Sequence, residues 1–228
     1  MNYQITKVFS FFLLILLLNV FEIDAQVIVK SCGVQLSIPH FEETSLIEKN
    51  AQTDIIQKIL GPIEKPTSDL EIRFWTTQYG NFDIIIDLKC DGSRLILHKY
   101  SCYISAKGRP NIDKSKYRNI GPPNVRSNYN IMLSKEPIEQ LDSNQVKELF
   151  KKLTDNHLFD LPTEAELVKL VSASYPQFTA TGEASIYMRI NVNGKIRDMR
   201  YSAFYSENAD IVYQYRNLMN LYKIFDFK

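Results

Sequence analysis

The stretch Ser185-Ile-Tyr-Met-Arg-Ile-Asn-Val-Asn-Gly-Lys-Ile-Arg-Asp-Met-Arg-Tyr-Ser-Ala203 decides the reading of this chain. Apolar and polar residues alternate on both sides of Asn193-Gly194, a dipeptide that accepts positive φ at both central positions of a tight type I′ turn. A two-residue loop fixes the register. Arg189 then faces Asp198, Tyr187 faces Arg200, and Met188 faces Met199. Charge meets charge and sulfur meets sulfur, an internal check on the pairing.

A second hairpin is expected upstream, with Phe82–Lys89 and Arg94–Cys102 joined around Asp91-Gly92. A turn at Asp91-Gly92 pairs Leu88 with Leu95 and Ile86 with Leu97 on one face. The opposite face then carries Asp83, Ile85 and Asp87 against Tyr100, His98 and Ile96. Glu71–Thr77 reads as a further strand, and Tyr129–Ser134 as another. Val27–Ile38 is extended.

Three amphipathic helices are expected. The first spans 45–60, opened by a Ser45/Glu48 capping box and closed by Gly61-Pro62. The second starts at an Asp142/Gln145 capping box, runs to about Asn156, and repeats Val146, Leu149, Phe150 and Leu153 at helical spacing. The third covers about 207–224, with Ile211, Val212, Tyr215, Leu218, Met219 and Tyr222 on one face. A shorter helix at 163–172 is an additional candidate. The fold class is therefore α+β: an antiparallel β-sheet built from hairpins, with three amphipathic helices packed on one face.

The N-terminus reads as an address. Lys7 precedes the apolar run Val8–Phe21, and Ala25 supplies a small residue before Gln26, the pattern of a secretory signal peptide. The run is shorter than the ~20 residues that span a bilayer, which favours cleavage over a permanent anchor. The expected organisation is a cleaved signal peptide, 1–25, and a single α+β domain, 26–228, without stable membrane insertion after cleavage. Its destination is the periplasm or the exterior. The 228 residues carry 27 Lys+Arg against 26 Asp+Glu, a net charge of +1, and loss of 1–25 removes Lys7, Glu22 and Asp24. A near-neutral chain gives no reason to expect a nucleic-acid partner.

Export bears on Cys32, Cys90 and Cys102. Three thiols allow one intramolecular disulfide. In the expected hairpin Cys90 adjoins the turn while Cys102 lies about 30 Å along the ladder, far beyond the ~7 Å that a disulfide tolerates between Cα atoms. A disulfide would join Cys32 with Cys90 or Cys102. No Cys-x-x-Cys pair is present.

The succession of Asp-Gly hairpin, helix ending near Leu158-Phe-Asp-Leu-Pro162, Asn-Gly-Lys hairpin and amphipathic C-terminal helix resembles small exported bacterial α+β proteins classed as domains of unknown function. The resemblance covers roughly residues 70–225. It implies no activity and assigns no catalytic residue. The N-terminal helix and the segment 107–126 lie outside the shared pattern.

The familiar signatures of chemistry are missing: no nucleophile elbow, no zinc-protease helix, no phosphate loop and no dinucleotide fingerprint. No catalytic, cofactor-binding or metal-ligating residue is assigned on motif grounds. The face bearing Asp83, Asp87, His98 and Tyr100 could hold a divalent ion or orient a general base; alternation alone also predicts it as the solvated side of a hairpin. His157 falls at a helix C-terminus, where the helix dipole favours it. The segment 107–126 reads as a loop, with Lys107, Arg109, Lys114, Lys116, Arg118 and Arg126 against one acid, Asp113, and with Tyr103, Tyr117 and Tyr129 nearby. It is a possible partner-binding loop. Trp75 and most tyrosines fall on faces assigned to packing.

Three functional expectations follow. The first is an exported non-enzymatic binding module for a protein or envelope component, with no cofactor. The second is a hydrolase or metal-dependent enzyme using the Asp83/Asp87/His98 face. The third is an inhibitor or immunity-type protein that neutralises a partner enzyme.

Overall fold

The computed structural model describes residues 27–31, 34–38, 41, 43, 51–61, 68–78, 81–91, 94–106, 113–122, 128–136, 139–140, 142–174, 184–202 and 213–225. The signal-like stretch and the Ser45/Glu48 capping box lie outside them. Among the described residues no helix is long and apolar enough to cross a membrane.

β1 (Val27–Ser31) and β2 (Val34–Ile38) make a small antiparallel pair. The main sheet is antiparallel and eight-stranded. Its strands are β3 (Leu70–Gln78), β4 (Asn81–Asp91), β5 (Arg94–Ala106), β6 (Tyr117–Gly121), β7 (Tyr129–Ser134), β8 (Glu139–Gln140), β9 (Ala184–Val192) and β10 (Lys195–Ser202). They lie in the order β10-β9-β3-β4-β5-β7-β6, with β8 beside the first part of β5. The helices are α1 (Ala51–Leu60), α2 (Ser143–Asp155), α3 (Glu164–Ser174) and α4 (Tyr213–Phe225).

The α+β class holds, with two differences from the expected arrangement. Four helices are described, because the segment near 163–172 is helical as α3. They also divide between the two faces of the sheet. On one face Ile72, Phe74, Ile86, Leu88, Leu97, Met188, Ile190 and Met199 pack against α2 (Val146, Leu149, Phe150, Leu153), α3 (Leu167, Val171) and α4 (Tyr215, Leu218, Met219, Leu221). On the other, Ile55 and Ile56 of α1 pack with Trp75, Ile85, Cys102, Ile131, Leu133 and Tyr187. Period-2 alternation explains the split: Phe74 and Trp75 are adjacent in β3 and must point to opposite sides.

The Asn193-Gly194 turn has φ of 52° and 84°, and β9 and β10 pair Arg189 with Asp198, Tyr187 with Arg200 and Met188 with Met199. The upstream hairpin pairs differently. Asp91 faces Arg94, Leu88 faces Leu97, Asp87 faces His98 and Ile85 faces Tyr100. The pairing thus closes at Asp91 and Arg94 rather than at Cys90 and Ser93, a slip of two residues on one strand. Such a slip preserves every side chain's face, so the alternation that reveals the hairpin cannot set its register.

The Asp142 cap is as expected: its Oδ1 accepts from the N–H groups of Asn144 (2.8 Å) and Gln145 (2.9 Å), and Gln145 Oε1 accepts from Asp142 N–H at 2.8 Å. α2 ends with His157 in the left-handed region, φ 58°, with His157 N–H bonded to Thr154 C=O and Leu158 N–H to Leu153 C=O. This is a Schellman closure with histidine where glycine is usual. Beyond it the chain is pinned to β10: the buried Arg197 donates to Phe159 and Leu161 C=O, and Tyr201 O–H donates to Pro162 C=O at 2.7 Å.

Candidate functional site

The face expected to be a solvated polar surface is instead buried at its centre. One row of neighbours crosses six strands: Asp198 (β10), Arg189 (β9), Arg73 (β3), Asp87 (β4), His98 (β5) and Gln140 (β8). Arg189, Arg73 and Asp87 are 4, 2 and 1% exposed, and the next row adds the equally buried Glu71. These residues reach one face for the same reason that Leu and Ile reach the other. What permits their burial is mutual pairing.

Two arginines stand side by side at the middle of the row, and each is held by its own acid. Arg189 Nε lies 3.5 Å from Asp198 Oδ1. Arg73 donates through Nε to Glu71 Oε1 at 2.6 Å, two residues away on the same face. The rest of its guanidinium turns to α1, donating to Gly61 C=O at 3.1 Å and Leu60 C=O at 3.2 Å. Those carbonyls end a helix, where a cation is favoured. Gly61, at φ 92°, closes α1 with its N–H on Gln57 C=O.

Asp87 is the least satisfied member. Its Oδ2 is 2.8 Å from Lys89 Nζ, while its Oδ1 accepts no hydrogen bond among the described residues. Burial pushes the Asp87 carboxyl above its ordinary value, against the opposing pull of Lys89. Burial also works against the charge on Lys89, but the Asp87 carboxylate outweighs it and the ammonium is held above its usual value. Burial raises the Tyr100 phenol, with the Asp87 charge adding to the effect. Chemically, the arrangement is a buried carboxyl inclined to keep a proton, beside an imidazole one strand away.

Of the residues named on this face from sequence, Asp87 and His98 are brought together as cross-strand partners. Tyr100 lies one row away, its ring 6.2 Å from His98. The side chain of Asp83 is outside the described residues. No group of three or more His, Cys, Asp or Glu able to hold a metal occurs among the described residues. Cys90 faces Leu95 and the buried Cys102 faces Leu133, at opposite ends of β5; Cys32 is not among the described residues. His40 is also outside them.

Along the same face, Trp75 stacks on Tyr187 with centroids 5.2 Å apart and planes 3° apart, and Arg200 lies over Tyr187 at 5.4 Å. Both rings are buried.

The segment 107–126 is not all loop. Lys114 and Lys116 lie in a turn, and β6 follows from Tyr117, with Arg118 on it. All three basic residues are exposed. Asp113 lies 3.9 Å from Lys116 and is held ionised by the hydroxyl and N–H of Ser115, which lower its carboxyl below the usual range. The Tyr103 and Tyr117 rings meet edge to face at 4.9 Å. Lys107, Arg109 and Arg126 are outside the described residues. The strand escaped sequence reading because a bulge between Asn119 and Gly121 breaks its alternation and Pro122-Pro123 follows.

A further cluster was missed. His157 Nδ1 is 2.9 Å from Asp160 Oδ2, and Nε2 is 2.8 Å from the Tyr213 hydroxyl at the start of α4. In the tautomer with hydrogen on Nδ1, that N–H donates to Asp160 and Nε2 accepts the hydrogen bond of the Tyr213 hydroxyl. The only sequence signal is a histidine at a helix end with an acid three residues on. No protein-family model matches the chain, and no curated protein matches it.

Proposed function

We propose that the chain is an exported, non-enzymatic module that binds a protein or envelope component through the basic end of its sheet. The observation that carries this reading is the exposed trio Lys114, Lys116 and Arg118, beside the Tyr103–Tyr117 pair. Solvated cations next to aromatic rings suit an acidic partner surface, supplying long-range attraction and a short-range apolar contact. The signal-like N-terminus supports export to the periplasm or beyond. The test is affinity capture of residues 26–228 from the native envelope with mild cross-linking, beside the triple reversal Lys114→Glu, Lys116→Glu, Arg118→Glu. A stoichiometric partner lost in the reversal supports the reading. Turnover of a substrate that depends on His98 or Asp87 overturns it.

A second reading has one observation in its favour, the buried Asp87 carboxyl, raised above its ordinary value, cross-strand from His98. Buried carboxyls of raised affinity for protons recur at catalytic sites as well as in structural networks. Under that reading the Asp83/Asp87/His98 face serves a hydrolase or metal-dependent enzyme. Protein purified without chelator then carries one metal equivalent that His98→Ala loses. The inhibitor reading shares the basic surface of the first, and a tight one-to-one complex with an enzyme would distinguish it.

A further inference from the structure

Asn193-Gly194 is the single Asn-Gly step in the chain, and every other asparagine precedes a residue that carries a Cβ. The distinction is chemical. An asparagine side-chain amide can be attacked by the backbone nitrogen of the next residue, closing a five-membered imide. A side chain on that next residue obstructs the approach and restricts the backbone, where glycine does neither. A Cβ placed on Gly194 meets nothing within 4 Å, so the space around the turn is open.

The turn is anchored at its base and leaves the reacting groups unbound. Val192 faces Lys195 as the last pair of the ladder, and Asn193 and Gly194 stand exposed beyond it at φ 52° and 84°. Asn193 N–H donates to Asp69 C=O at 2.7 Å, which ties the turn to the approach to β3. Among the described residues nothing bonds the Asn193 side-chain amide or the Gly194 N–H. Asn191, two positions earlier, is the opposite case: its side chain is buried and donates to Ser68 C=O at 2.6 Å.

We propose that Asn193 is a self-modification site, at which the chain converts its own turn to isoaspartate with water as the only co-reactant. The Gly194 nitrogen gives its proton to solvent base and bonds to Asn193 Cγ. The Cγ–Nδ2 bond breaks, and the side-chain nitrogen leaves as ammonia with a proton taken from water. Water then opens the imide at one of its two carbonyls. Opening at Cγ gives aspartate; opening at the main-chain carbonyl leaves the backbone running through Cγ, as isoaspartate. The balance is one water consumed and one ammonia released. Aspartate suits the turn, since Asp-Gly accepts the same two positive φ values. Isoaspartate adds one carbon to the backbone of a two-residue loop, which then outgrows the Val192–Lys195 pair it spans.

The test is incubation of residues 26–228 in mildly alkaline buffer made with water enriched in heavy oxygen, followed by peptide mass spectrometry with fragmentation that separates aspartate from isoaspartate. Label enters at position 193 at least about tenfold faster than at Asn191 or any other asparagine, and the folded chain labels there within about tenfold of the same chain in urea. Asn193→Gly, which keeps a residue suited to positive φ, takes up no label at that position. In hydrogen–deuterium exchange the isoaspartate fraction loses protection at Lys195 and Arg197 by at least about tenfold, whereas Asn193→Asp matches the wild type. Labelling at 193 no faster than at Asn191, or slowed by folding more than about tenfold relative to urea, overturns the site. An isoaspartate fraction that exchanges like Asn193→Asp overturns its effect on the hairpin. The chemistry is independent of what the basic end of the sheet binds.

Discussion

Phe74 and Trp75 are neighbours in β3, yet they enter environments built by opposite means. Phe74 joins a dry layer of Leu, Ile, Met and Phe closed by three helices. Trp75 lies on the face that carries one helix among the described residues, bordered by a row of charges that are buried only because each finds a partner. The first kind of core tolerates error locally, since a lost methyl group costs its own burial and cavity. The second is collective. Removing one charge strands another, so its residues stand or fall in pairs.

The sharpest contrast comes from Phe74→Ala, which should cost about 3–5 kcal/mol by cavity formation, read by urea denaturation. On the charged face Glu71→Leu leaves Arg73 with carbonyl partners alone and should cost about 3 kcal/mol. The double variant Glu71→Leu, Arg73→Met should recover most of that loss. A double variant no better than the single would mean that the pair is not the unit of stability. Asp142→Ala, on the helix layer and far from the charges, should cost about 1 kcal/mol through the lost cap, measured by thermal melting.

The smallest effect has the opposite sign. Asp87 binds its proton more tightly folded than unfolded, because its carboxyl is raised above 3.8. Across the interval from 3.8 up to the folded value, the native state holds a proton that the unfolded chain has lost. Stability therefore falls as pH rises through that interval. Asp87→Asn should be slightly more stable than wild type at neutral pH, and the gap should close as pH falls towards 3.8. A gap that widens on acidification would mean that the Lys89 pair outweighs the cost of burial.

The same contrast explains what could be read from the sequence. The Asn193-Gly194 hairpin was legible to the residue because only certain side chains accept positive φ at both turn positions, and because Arg189 and Asp198 check the register. The helix layer was legible from the spacing of Val146, Leu149, Phe150 and Leu153. The Asp87–His98 pairing was not: Asp-Gly and Gly-Ser both make acceptable loops, and a two-residue slip leaves the faces unchanged. Nor was the burial of Arg73, Asp87 and Arg189, since alternation assigns charged side chains to water unless their partners are known. Glu71 and Arg73 are two residues apart in β3, but the helix end that completes the arginine's shell is supplied by a different segment. Tyr213 approaches His157 across 56 positions of chain, a distance over which local pattern carries no information.

The contact between Arg73 and the last carbonyls of α1 has a consequence for how the molecule opens. A ten-residue surface helix would ordinarily fray ahead of the sheet beneath it, exposing its amides to exchange with solvent. Here, lifting the end of α1 strips a buried guanidinium of two acceptors. Hydrogen–deuterium exchange should therefore find the backbone hydrogens of its last turn slowed towards the rate of β3.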